Sequence, residues 1–178
     1  MDPIEVRDHL NELKRRLSAA GVDAEIYVIG GSAMALNFPE DTDTRLTQDI
    51  DAVVHPNAEV RQVVEAMAVD LGLSPTWLNS DGAPFIPPRT RHHSPGSVEI
   101  TVATTRELIA MKLAAAREQD LHDLGILARH AQITSARELV DIAYDAYGKD
   151  SIALNESRED YLLIAKQVLA RERRRTRN

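Results

Sequence analysis

Two aspartates one residue apart, Asp49-Ile50-Asp51, are the first residues in this chain whose type and spacing suggest chemistry. They open an apolar, β-branched run, Ile50 to Val54, that reads as a buried strand. Side chains alternate across a strand, so both carboxylates project from one face, roughly 7 Å apart. Paired carboxylates at the end of a buried strand are costly unless something matches them, and a divalent cation is the usual partner. Upstream, a second apolar run, Ile26 to Ile29, leads into Gly30-Gly31-Ser32. A glycine pair lets backbone N–H groups approach a ligand closely, and the start of a new helix favours an anion. A phosphate cradle beside a carboxylate pair is equipment for phosphoryl or nucleotidyl transfer.

Elements on either side must hold these residues in place. Residues 3–20 carry Val6, Leu10, Leu13 and Leu17 at helical spacing, with Asp2-Pro3 to start the helix and Gly21 to end it. Residues 57–72 predict a second helix, capped by Asn57 and stopped by Gly72, with Val60, Val63, Val64, Met67 and Leu71 as its buried stripe. Val98 to Val102 alternates as a strand, with Val98, Ile100 and Val102 inward and Glu99 and Thr101 on the other face. Thr104 or Thr105 then caps a long helix, with Glu107 in its first turn. Further helices follow at about 121–130, 135–147 (Ser135 capping, Gly148 stopping) and 157–175. The fold class is therefore α/β: a small mixed sheet over residues 1–104, then a helical bundle over 105–178 that closes the cleft.

Between these elements lie two less regular stretches. Residues 38–48 form a polar loop with Arg45 and Thr47 beside the carboxylate strand; Arg45 is either an ordinary partner of Asp41 or Asp43 or part of the site. Residues 73–97 hold five of the eight prolines, the only tryptophan (Trp77) and the run Arg89-Thr-Arg-His-His93. That stretch reads as a surface loop, with a hairpin strand inside it, or as a basic flap contacting phosphate. His92 and His93 are poorly spaced to ligate one ion together.

The helical half contains a second group with chemical interest. Lys112 sits among apolar residues, where an unpaired ammonium is unfavourable. On an unbroken helix Lys112 and Asp123 share a face to within about 20°, and Asp120 lies one turn before Asp123. The bland account of the group is an internal salt-bridge face.

Composition limits the possibilities. At 178 residues and 43% hydrophobic content the chain supports a sizeable core. It has no cysteine, which excludes disulfides and thiolate metal sites. No apolar run approaches the roughly 20 residues that span a bilayer, and the expected compartment is the cytoplasm. The net charge of −7 is uneven, for Arg158 to Asn178 carries +4 and the remainder −11. Overall acidity argues against indiscriminate nucleic-acid binding, while the basic end, Arg171 to Arg177, permits a local phosphate contact.

Taken together, Gly30-Gly31-Ser32 and Asp49-Ile50-Asp51 resemble the signature of the polymerase-β-like nucleotidyltransferases. Arg45-x-Thr47-x-Asp49-x-Asp51, with Lys112, Arg117, Asp120 and Asp123, resembles the AbiEii/MenT-type toxin nucleotidyltransferases. Sixteen residues separate Ser32 from Asp49, more than in the minimal members of the superfamily. The resemblance covers about residues 26–130. It implies transfer of a nucleoside monophosphate from an NTP, with Mg²⁺ (or Mn²⁺) held by Asp49 and Asp51. Gly30, Gly31 and Ser32 would bind phosphate, Lys112 and Arg45 would stabilise the leaving pyrophosphate, and Thr47 would flank the site. Glu99, Asp120 or Asp123 would complete the acidic set, with Glu99 as a base or further metal ligand on a strand beside that of the aspartates. The resemblance further implies a toxin that modifies the 3′ end of tRNA and pairs with an antitoxin protein. A protein or small-molecule acceptor, or a non-catalytic binding protein with the same fold, are the alternatives.

Overall fold

The computed structural model describes residues 1–88 and 96–175. The chain divides into two compact units, one of Met1–Ala83 and Thr90–Ala103, the other of Pro84–Arg89 and Thr104–Asn178.

The first unit is an α/β layer. Helix α1, Pro3–Ala19, begins at Asp2, whose carboxylate accepts the Ile4 and Glu5 N–H groups while Glu5 returns a bond to the Asp2 N–H. That reciprocal cap satisfies donors a helix start otherwise leaves open. Val6, Leu10, Leu13 and Leu17 form its buried stripe. Strand β1, Ala24–Val28, is buried along its whole length because strands flank it on both sides. Helix α2 spans Gly30–Asn37, β2 Ile50–His55, α3 Asn57–Leu71, β3 Leu78–Asn79 and β4 Val98–Val102. The sheet order is β3-β2-β1-β4. β1 runs antiparallel to β2 and parallel to β4, and β2 runs parallel to β3.

Three expectations change here. Asn57 is the first residue of α3 rather than its cap; Pro56 holds the cap position and the Asn57 side chain accepts from Arg61 instead. Leu71 lies outside the buried stripe, at 48% exposure, because α3 turns it away in its last turn. The stretch after residue 73 contains a strand, but β3 runs parallel to β2 and is no hairpin. Trp77 anchors it: the indole is 2% exposed and donates to the Val64 carbonyl at 3.2 Å.

The second unit is helical. Thr104 caps α4, Thr105–Ala115, in a reciprocal box with Glu107. Every residue from Leu108 to Ala114 is buried, as befits a helix surrounded by others, and α4 packs against both α5, Glu118–His130, and α6, Ala136–Tyr147. Helix α7, Arg158–Arg175, covers α5 and α6. The long helix expected from residue 105 is interrupted: Ala116 adopts φ 47°, a left-handed conformation that ends α4. Ser135 occupies the cap position of α6 without a side-chain cap bond, and Gly148 ends that helix. No helix among the described residues is long and apolar enough to cross a membrane.

Candidate active site

In the first unit the chain turns from β1 directly into α2, and this turn meets the start of β2. Gly30 has φ 62°, open to glycine and strained for other residues. A Cβ on Gly30 would lie 2.5 Å from Oδ2 of Asp51, so the carboxylate packs against the glycine's α-carbon. No side chain caps α2, and its first N–H groups belong to Gly30, Gly31 and Ser32. The Ile29 N–H donates to the Asp51 carbonyl at 2.9 Å, which ties the turn to the strand.

Asp49 stands one residue before β2 and Asp51 one residue inside it, both half-buried around a fully buried Ile50. That alternation keeps the two carboxylates on one side of the chain. The Asp49 backbone is clamped twice. Ser32 Oγ donates to its carbonyl at 2.9 Å and Thr47 Oγ1 donates to the same oxygen at 2.7 Å. Ser32 is 0% exposed, and its hydroxyl makes this internal bond.

Asn79 is the residue that sequence reasoning missed. It pairs with Asp51 across β2 and β3, and its Nδ2 donates to Asp49 Oδ2 at 2.6 Å. A two-residue strand has no period to read, and only Trp77 hinted that this proline-rich stretch was anchored.

Glu99 is placed elsewhere. β4 borders β1, not β2, and Glu99 aligns with Glu25, which aligns with His55. His55 lies four residues beyond Asp51, roughly 13 Å along the strand, and Glu99 is a further two strand spacings across. The expected third carboxylate on a neighbouring strand is therefore not Glu99; strand order puts β1 between. Arg45 is exposed in the loop after α2, lining a cavity of about 310 Å³ with Phe38, Asp41 and Leu46, a lining that includes neither Asp49 nor Asp51. No group of three or more His, Asp or Glu positioned for a metal ion occurs among the described residues. The basic run at 89–93, with His92 and His93, lies outside the described residues.

In the second unit Lys112 Nζ donates to Asp120 Oδ1 at 2.8 Å and to Asp123 Oδ2 at 2.7 Å. The side chains are 9%, 0% and 6% exposed, so this is a buried ionic group. The pairing does not come from one continuous helix face. The break at Ala116 folds α5 back against α4, and Lys112 reaches across between them. Arg117 Nε donates to Asp120 Oδ2 at 2.6 Å, and its guanidinium stands 5.9 Å from the Phe85 ring centre. Burial alone would raise the Asp120 carboxyl, but the Arg117 and Lys112 hydrogen bonds and charges outweigh it and hold the group below its ordinary value. The tail is also engaged: Arg171 pairs with Glu118 and Arg175 with Glu172.

Residues 6–169 match the family model described as a nucleotidyltransferase of unknown function (DUF6036). Neither a curated protein nor a solved structure matches the chain.

Proposed function

The chain belongs to this nucleotidyltransferase family, and from that premise we propose that it moves a nucleoside monophosphate from an NTP to an acceptor in a cation-dependent reaction. The observation that carries the reading is the Asp51 carboxylate packed on Gly30 at the uncapped start of α2, beside the clamped Asp49. Two carboxylates suit Mg²⁺ or Mn²⁺, hard ions that bind through one or two such groups and take their remaining ligands from phosphate and water. When bound, the ion neutralises triphosphate charge and helps to align the attacking hydroxyl.

The chain's own groups do the rest. The Gly30 and Gly31 N–H groups receive phosphate oxygens, and the α2 dipole favours that charge. Ser32 and Thr47 fix the Asp49 backbone. Arg45, one of several exposed cations of this unit, lies in the loop that leads to Asp49 and is the group we assign to the leaving pyrophosphate. Lys112 and Arg117 hold Asp120, and Lys112 holds Asp123, as the frame of the helical unit.

The acceptor we propose is the 3′ end of tRNA, with the protein acting as a toxin controlled by an antitoxin. Its support is the likeness of Arg45-x-Thr47-x-Asp49-x-Asp51 and of Lys112 with Arg117, Asp120 and Asp123 to the AbiEii/MenT type. A protein or small-molecule acceptor is the second reading, favoured by the net charge of −7 and by the pairing of Arg175 with the largely buried Glu172. Purified protein, Mg²⁺, total tRNA and each α-labelled NTP in turn, beside an Asp51→Asn control, separate them. Label entering tRNA with one NTP and absent from the control supports the first reading. No label in tRNA with any NTP refutes it, and protein and small-molecule acceptors are then assayed with the same nucleotides.

A further inference from the structure

We propose that Asn79 is a positioning residue: its amide fixes the Asp49 carboxylate for the cation that the reading above places on Asp49 and Asp51, and the inference rests on that reading. Three observations support it. The Asn79 side chain has one possible orientation, since Oδ1 accepts the Asp81 N–H at 2.9 Å and Nδ2 must then be the end that donates to Asp49 Oδ2 at 2.6 Å. The backbone beneath it is held, since Ile50 N–H donates to the Trp77 carbonyl at 2.6 Å and the Trp77 indole is buried in the same unit. Its partner across the strands is Asp51, so the residue of β3 that bonds the Asp49 carboxylate also pairs with the strand position of Asp51.

The chemistry of an amide suits the part. It donates to one carboxylate oxygen without adding charge, so Asp49 keeps its full negative charge for a cation while losing rotational freedom. A lysine in that place would neutralise the pair and compete with the metal, and a third carboxylate would repel Asp49 and Asp51 when no metal is bound. Asn79 also closes a local turn through Asp81, a purely structural part that Asn79→Asp preserves, because an aspartate oxygen still accepts that N–H.

The test is Mn²⁺ uptake by the full chain, with Mn²⁺ alone as probe, followed by electron paramagnetic resonance, together with thermal melts. Wild type binds Mn²⁺ and Asp49→Ala does not. Asn79→Ala weakens uptake about 10–100-fold, the usual effect of removing an outer partner of a metal ligand. Asn79→Asp melts below wild type without metal and gains more from saturating Mn²⁺ than wild type gains. Should Asn79→Ala fold poorly, the Mn²⁺-induced shift of Asn79→Asp decides. Wild-type uptake with both Asn79 variants unchanged overturns this inference alone. Failure of wild type itself to take up Mn²⁺ overturns the cation reading and this inference with it.

Discussion

Replacing Lys112 by methionine tests whether the buried ionic group of the helical unit is a frame or a substrate contact. Methionine keeps most of the aliphatic stem and removes only the ammonium, so packing against α4 and α5 changes little. What changes is charge. Lys112 is bonded to two carboxylates, Asp120 at 0% and Asp123 at 6% exposure. Asp120 keeps Arg117, whose side chain is 58% exposed and therefore screened by water, while Asp123 loses its Lys112 bond. Removing one partner of a buried pair in this way costs about 3–5 kcal/mol. For a protein of this size each kcal/mol moves the melting temperature by about 2–4 °C, so the expected drop is about 6–20 °C. Calorimetry or circular dichroism at neutral pH measures it. Adding Asp123→Leu to Lys112→Met should recover part of the loss, because the buried carboxylate that lost its Lys112 bond is removed with it. The frame argument is refuted if Lys112→Met melts within about 2 °C of wild type yet loses nucleotidyl transfer, for then the ammonium acts on substrate.

Three further outcomes follow from the same geometry. Gly30→Ala should lower nucleotidyl transfer on the order of 10²-fold, since its Cβ would meet Asp51 Oδ2 at 2.5 Å; Gly21→Ala, at φ 66° with open space around it, should lose stability without losing activity. Ser32→Ala should cost about 1 kcal/mol by urea unfolding and leave the KM for NTP nearly unchanged, because the hydroxyl bonds the Asp49 carbonyl; a raised KM at unchanged stability would instead make it a phosphate ligand. Asp120 contributes to the acid sensitivity. Its folded value lies below the ordinary 3.8, so its contribution is complete above that pH and is lost as pH falls through the depressed value. Unfolding midpoints measured from neutral pH to about pH 3 should therefore fall on the acid side, less steeply in Asp120→Asn.

What could be read from the sequence alone was whatever local chemistry settles. Asp2 with Glu5 and Thr104 with Glu107 close their caps within four residues, and α1 and α4 begin where those pairs stand. Gly30-Gly31-Ser32 and the alternation of Asp49, Ile50 and Asp51 are equally local, since a turn and a pleat need only their own residues. Pairings between distant segments were decided by tertiary structure. Glu99 has the type and alternation of a site residue, but the sheet order sets β1 between its strand and that of the aspartates. Lys112 and Asp123 meet through a break at Ala116, not along one helix face. Ser32 turned inward because the Asp49 carbonyl needed a donor, and Asn79 came beside Asp49 and Asp51 because Trp77 pins a two-residue strand against β2. A hydrogen bond to a partner 17 or 30 residues away leaves no periodicity in the chain, and only the folded sheet supplies the partner.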